Sequence, residues 1–84
     1  MTKECSRLVA ELFKTYGYTF DTVNDCLTRK EEWHCRMAIR FLDDFLGRLT
    51  DAEREGCISN IEEFRAEIAK LYEDVSRTYR MIVK

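Results

Sequence analysis

Apolar residues of the last third of the chain follow one another at alternating spacings of four and three. They are Cys57, Ile61, Phe64, Ile68, Leu71, Val75, Thr78 and Ile82. A seam of that period belongs to an α-helix and to no strand, because it returns the same face every 3.5 residues. Ile58, Tyr72 and Tyr79 widen it on one side. The only breaker after Asp51 is Gly56, so the pattern predicts a single helix from Asp51 to the end, ~48 Å long at ~1.5 Å per residue. The 84 residues contain no proline and three glycines, too few turn formers for a strand-rich domain. The expectation is an all-α fold in one domain spanning 1–84.

Two more helices precede this one. Cys5, Leu8, Val9, Leu12, Phe13 and Tyr16 form one helical face, and Gly17 stands where a helix commonly ends. Helix one is placed at 3–16. A connector containing "YGYTFDTVNDCLT" follows, with Tyr18 and Phe20 expected to pack inward. "TRKE" at 28–31 has the pattern of a capping box, and "TDAE" at 50–53 repeats it. Helix two then runs over 29–48. Its apolar positions, including Met37, Ala38, Phe41, Leu42, Phe45, Leu46 and Leu49, cover an arc of roughly 200°, wide enough for neighbours on two sides. The architecture expected is an antiparallel hairpin of helices two and three with helix one packed beside it, a three-helix bundle.

Helix two at ~30 Å is shorter than helix three, which leaves the seam uncovered from about Leu71 onward. Either helix one covers that overhang or a second subunit does. The expectation is a homodimer. The candidate partner and dimer surface is Trp33, Leu71, Tyr72, Val75, Tyr79 and Ile82.

"EEWHCRMAIRFLDDFL", 31–46, holds the chain's one tryptophan and one histidine with a cysteine beside them. Adjacent helical residues point ~100° apart, so His34 and Cys35 do not converge on one metal or form a nucleophile–base pair. Glu31-x-x-His34 has the spacing used in di-iron carboxylate bundles, and a homodimer would double it, with Glu62 or Glu63 as further carboxylates. Yet Phe41 and Phe45 occupy positions that such a site needs polar, and Glu31 belongs to the capping box. A structural histidine, no metal and no cofactor are expected. Trp33 either closes the end of the core or stands exposed as a partner anchor. No catalytic triad order, phosphate loop or nucleophile elbow is present, so no enzyme is expected.

A formal charge of −2 gives nucleic acid no overall attraction. On helix two Arg36, Arg40 and Arg48 mix with Asp43 and Asp44 rather than forming a phosphate track. Glu53, Glu55, Glu62, Glu63 and Glu67 make the start of helix three acidic, and Arg77, Arg80 and Lys84 make its end basic, as the helix dipole favours. No apolar run reaches the ~20 residues of a membrane span. "MTKECSRLVAELFK" carries acidic residues and no cleavage site, so no signal peptide and a reducing, cytoplasmic setting are expected. Cys5, Cys26, Cys35 and Cys57 are then expected as thiols. No Cys-x-x-Cys pair exists, and Cys26 and Cys35 stand one residue short of the twin spacing of intermembrane-space hairpins.

"LGRLTDAEREGCISNI", 46–61, resembles the turn region of the Rop family of plasmid copy-number proteins in its leucines, Asp-Ala turn and following cysteine. The likeness covers under a fifth of the chain. It implies a hairpin turn at 49–52 and, by extension, a dimeric bundle that binds paired RNA loops. That family's RNA face needs lysines, an asparagine and an exposed phenylalanine on its first helix, and no residues here match them one by one. The function expected is therefore a small non-enzymatic protein-interaction module, a regulator, adaptor or inhibitor of the kind phages and plasmids encode. It would act on another protein through a helical surface. A Rop-like nucleic-acid-binding bundle is the alternative.

Overall fold

The computed structural model describes residues 2–83, which form three α-helices and no strand: α1 (Lys3–Arg29), α2 (Glu32–Arg54) and α3 (Glu62–Ile82). They pack as a three-helix bundle. The core sits along α2, where Cys35, Ala38, Leu42, Phe45, Leu49 and Ala52 are all buried. Their spacings alternate three and four, so one straight seam of α2 serves as the common wall. α1 presents Leu12, Thr15, Thr19, Val23 and Cys26 to it. α3 presents Ile68 and Val75, with Phe64, Leu71, Tyr79 and Ile82 half-buried at the margins. α1 lies far more extensively against α2 than against α3. The bundle is consequently long and flat, 47 × 20 × 14 Å, with a radius of gyration of 14.0 Å. A compact chain of this length would have ~12 Å.

The helix boundaries correct the sequence reading at four places. α1 does not stop at Gly17 but continues to Arg29, because Thr19, Val23 and Cys26 keep its seam on α2 for three further turns. Burial along that seam outweighs the ~1 kcal/mol cost of a mid-helix glycine. The box expected at 28–31 is not formed. The Thr28 hydroxyl donates back to the Asn24 carbonyl at 2.8 Å, and Lys30 takes a left-handed conformation that ends α1. The box expected at 50–53 lies inside α2, which ends at Arg54 in a Schellman motif. There Gly56 has φ 76°, its N–H donates to the Glu53 carbonyl, and the Cys57 N–H donates to the Ala52 carbonyl at 2.8 Å. The turn expected at 49–52 thus falls at 55–61, and α3 starts at Glu62 rather than Asp51. Tyr18, expected inside, is 41% exposed, while Phe20 is half-buried.

These shifts remove the length mismatch. α2 and α3 are ~34 and ~31 Å long, and the longest helix is α1 at ~40 Å. No overhang of α3 remains. Val75 is fully buried within the chain.

All four cysteines are paired, contrary to the expected thiols. Cys26, in the last turn of α1, joins Cys35, in the first turns of α2, with Cα atoms 4.8 Å apart. Cys5, near the start of α1, joins Cys57 in the α2–α3 loop across 5.2 Å. Spacing alone gave no sign of this. The first pair meets because a tight turn brings two helix ends together, and the second because the 55–61 loop docks on α1. The first bridge is wholly buried and the second half-buried. With 52 residues of separation, the second removes more unfolded-chain entropy, about 4 kcal/mol against about 3 kcal/mol for the first in the chain-entropy account.

Two outcomes follow from this core. Protein unfolded without reductant should titrate no thiols, and four after reduction. Mild reduction should open the half-buried Cys5–Cys57 bridge first, with peptide mapping as the check. The Thr19 hydroxyl is completely buried and has no hydrogen-bond partner among the described residues. An unmet buried hydroxyl costs about 1–3 kcal/mol. Thr19→Val keeps the shape and removes that cost, so urea unfolding should show a stability gain of about 1 kcal/mol.

Candidate protein-interaction surface

The six residues singled out from the sequence divide in the structure. Leu71, Val75, Tyr79 and Ile82 belong to the α2–α3 packing, with Val75 buried and the other three half-buried against the core. With α3 starting at Glu62 and not Asp51, the helix has no overhang beyond α2 for a partner to cover. Tyr72 is 36% exposed and Trp33 is 59% exposed. Trp33 therefore does not close the core. Its ring meets His34 edge-on at 4.9 Å.

His34 Nδ1 stands 3.5 Å from the Glu31 carboxylate and has no hydrogen-bond partner among the described residues. Glu31 is the N-cap of α2 but makes no side-chain capping bond. Glu62 and Glu63 start α3 at the opposite end of the bundle, far from this pair. Among the described residues no three histidine, cysteine, aspartate or glutamate side chains converge as a metal site would require. His34→Gln should leave circular dichroism and melting temperature nearly unchanged, with a shift worth under about 1 kcal/mol. Stoichiometric iron, manganese or zinc in the purified protein that this variant loses would contradict a structural histidine.

An apolar groove lies elsewhere, between α1 and the start of α3. Val9, Leu12, Phe13 and Tyr16 form one wall, Phe64 and the 58–61 loop the other, and Phe45 and Leu49 the floor. Its volume is about 390 Å³. An aromatic cluster builds it. The Tyr16 ring lies 4.5 Å from Phe20, 6.0 Å from Phe45 and 6.4 Å from Phe64, and Phe45 stands 5.8 Å from Phe64. The Cys5–Cys57 bridge fixes the loop beside it. Asn60, at φ 58°, gives the loop its reversal into α3, a conformation asparagine tolerates better than most residues. Ser59 and Asn60 supply the groove's polar side chains.

Phe13 stands over this groove 77% exposed, and Tyr16 is 47% exposed. Both belong to the apolar face expected for helix one, of which the bundle buries only a part. The width of that face was the available signal. Leu8 and Phe13 lie ~140° apart around the helix, more than one neighbouring seam can bury.

Ion pairs fix the surroundings. Arg48 of α2 reaches the Glu11 carboxylate of α1 at 2.7 Å and Asp44 at 2.9 Å. Its hydrogen bond and charge contact with Asp44 raise the guanidinium above its already high value, so Arg48 remains a cation linking two helices. Arg65 of α3 reaches Glu53 of α2 at 2.9 Å. No helix is long and apolar enough to cross a membrane, among the described residues.

Compared with models of known families, with curated proteins and with solved structures, the chain matches none.

Proposed function

We propose that this chain is a small non-enzymatic interaction protein, a regulator, adaptor or inhibitor, that takes an apolar anchor of a protein partner into the groove between α1 and α3. One observation carries the reading: Phe13, 77% exposed, stands over an apolar groove of about 390 Å³. A lone exposed phenylalanine needs no explanation, but one that adjoins an aromatic-floored groove has the form of an interaction hot spot. Groove chemistry agrees with this. One serine and one asparagine offer hydrogen bonds for orientation but no acid, base or activated nucleophile. Trp33 and Tyr72 offer smaller exposed aromatic contacts away from the groove.

The nucleic-acid alternative draws no support from the charges. Arg36 pairs with Glu32, Arg48 with Asp44 and Glu11, and Arg77 with Glu73 and Asp74. Guanidinium groups that face carboxylates of their own chain make a mixed surface in place of a continuous phosphate track. Two disulfides suit an oxidising setting better than the reducing cytoplasm inferred from the sequence.

A photo-crosslinking residue at position 13, expressed in the native host, should give a discrete protein adduct. The same residue at position 73, on the far side of α3, should not. Phe13→Glu should abolish binding of that partner while moving stability by under about 0.5 kcal/mol, since the side chain is exposed. Equal labelling from both positions would refute the reading.

A further inference from the structure

The Cys5–Cys57 bridge is the covalent link between the two walls of the groove. Cys5 stands one helical turn before Val9 on the α1 wall, and Cys57 directly precedes the 58–61 loop that forms part of the other. Little else holds the walls at that end. No side chain of α1 before Leu12 is fully buried, and among the described residues its first ion pair to another helix is that of Glu11 with Arg48. Ile58, Ser59 and Asn60 enter no backbone hydrogen bond among the described residues. Ile58 is half-buried, and of the whole loop only Ile61, at the start of α3, is buried. α1 and α3 are also the two helices that meet least. A wall with so few attachments takes its position from the bridge.

We propose that Cys5–Cys57 is a redox switch on the groove: the oxidised chain holds both walls and binds its partner, and a dithiol reductant opens the walls and releases it. The proposal rests on the groove reading and adds its control. The chemistry is thiol–disulfide exchange. A thiolate of the reductant attacks the Cys57 Sγ, a new S–S bond forms there, and the Cys5–Cys57 bond breaks. Cys5 leaves as the thiolate and takes up a proton. It is the third residue of α1, with its N–H on the Thr2 hydroxyl at 3.0 Å, and the positive end of a helix favours a departing thiolate. The reductant's second thiol then displaces Cys57 from the mixed disulfide. Two electrons and two protons pass to the chain, which gains two thiols, and the reductant becomes a disulfide.

Selectivity comes from the second bridge. Cys26 and Cys35 are fully buried, so a reductant reaches them only when the α1–α2 turn opens, whereas Cys5 and Cys57 are half-buried. A chain reduced at the loop alone keeps Cys26–Cys35 and the α2 seam, and therefore the bundle. Control runs in both directions. A partner that needs both walls in place favours the bridged form, so occupancy protects Cys5–Cys57 by the same factor by which the bridge strengthens binding.

The intact oxidised chain, treated briefly with dithiothreitol and then iodoacetamide, should carry alkyl groups at Cys5 and Cys57 and none at Cys26 or Cys35. In that form, amide exchange followed by NMR should run roughly tenfold or more faster over residues 7–11 and stay unchanged over the α2 seam. The Ile58 and Ile61 methyl resonances should shift. The double variant Cys5→Ser, Cys57→Ser should match the reduced form, which separates loss of the bridge from the bulk of the alkyl groups. In host extract free of reductant, a photo-crosslinker at position 13 should give its protein adduct from the oxidised chain and roughly tenfold less from either opened form. An adduct yield indifferent to the bridge, or one that falls in the alkylated chain and holds in the serine variant, overturns the switch and leaves the groove reading standing. Exchange that rises across the α2 seam also overturns the switch, because the bridge is then a staple of the whole fold. No adduct from any form overturns the groove reading and the switch with it.

Discussion

Everything in this bundle leans on one seam of α2. Cys35, Ala38, Leu42, Phe45, Leu49 and Ala52 are spaced so that six successive layers face the same way, and α1 and α3 find their places by packing on it. Ala38 and Ala52 are the small residues of the seam, and Phe45 is its aromatic one, in contact with the rings of Tyr16, Phe20 and Phe64. Because two helices share one wall, they meet each other less, and the molecule is flat instead of round. That shape is the origin of the groove. Phe45 reaches across the gap between α1 and α3 and becomes its floor.

A domain of 84 residues with a single core seam has little stability in reserve. The disulfides answer this at two levels. Cys26–Cys35 secures a turn of two residues that holds a non-glycine residue, Lys30, at positive φ. Cys5–Cys57 ties the loop to the far end of α1 and so holds one side of the groove in place. Core and groove are therefore coupled. Loss of the loop bridge would loosen the wall formed by Ile58 and Ile61 before it touched the α2 seam.

The surface divides by what the core consumed. The apolar stripe of α3 is spent on α2 and leaves little for a partner. α1 is amphipathic in a broader sense. Its inner face serves the bundle, while its outer face carries Phe13, Ala10 and Gly17 in full view. The single histidine sits against Glu31 and Trp33 as a local packing arrangement, remote from the groove.

The sequence by itself determined that the chain is helical, that there are three helices, that the second is central, and which residues of the last helix share its apolar face. Those properties follow from periodicity and from the scarcity of turn formers, both local to the chain. Helix ends were a different matter. Gly17 and the two Ser/Thr-x-x-Glu-like boxes are favourable stop and start signals worth ~1 kcal/mol, and burial of several side chains on α2 outweighs them. Only the tertiary structure decided the disulfide pairing, because Cys5 and Cys57 are remote until the loop folds back. It alone decided that Val75 is interior and Phe13 exterior, since both stand on apolar faces of equal legibility. A sequence shows how wide an apolar face is, but only the number of neighbours packed against it fixes how much of that face stays open.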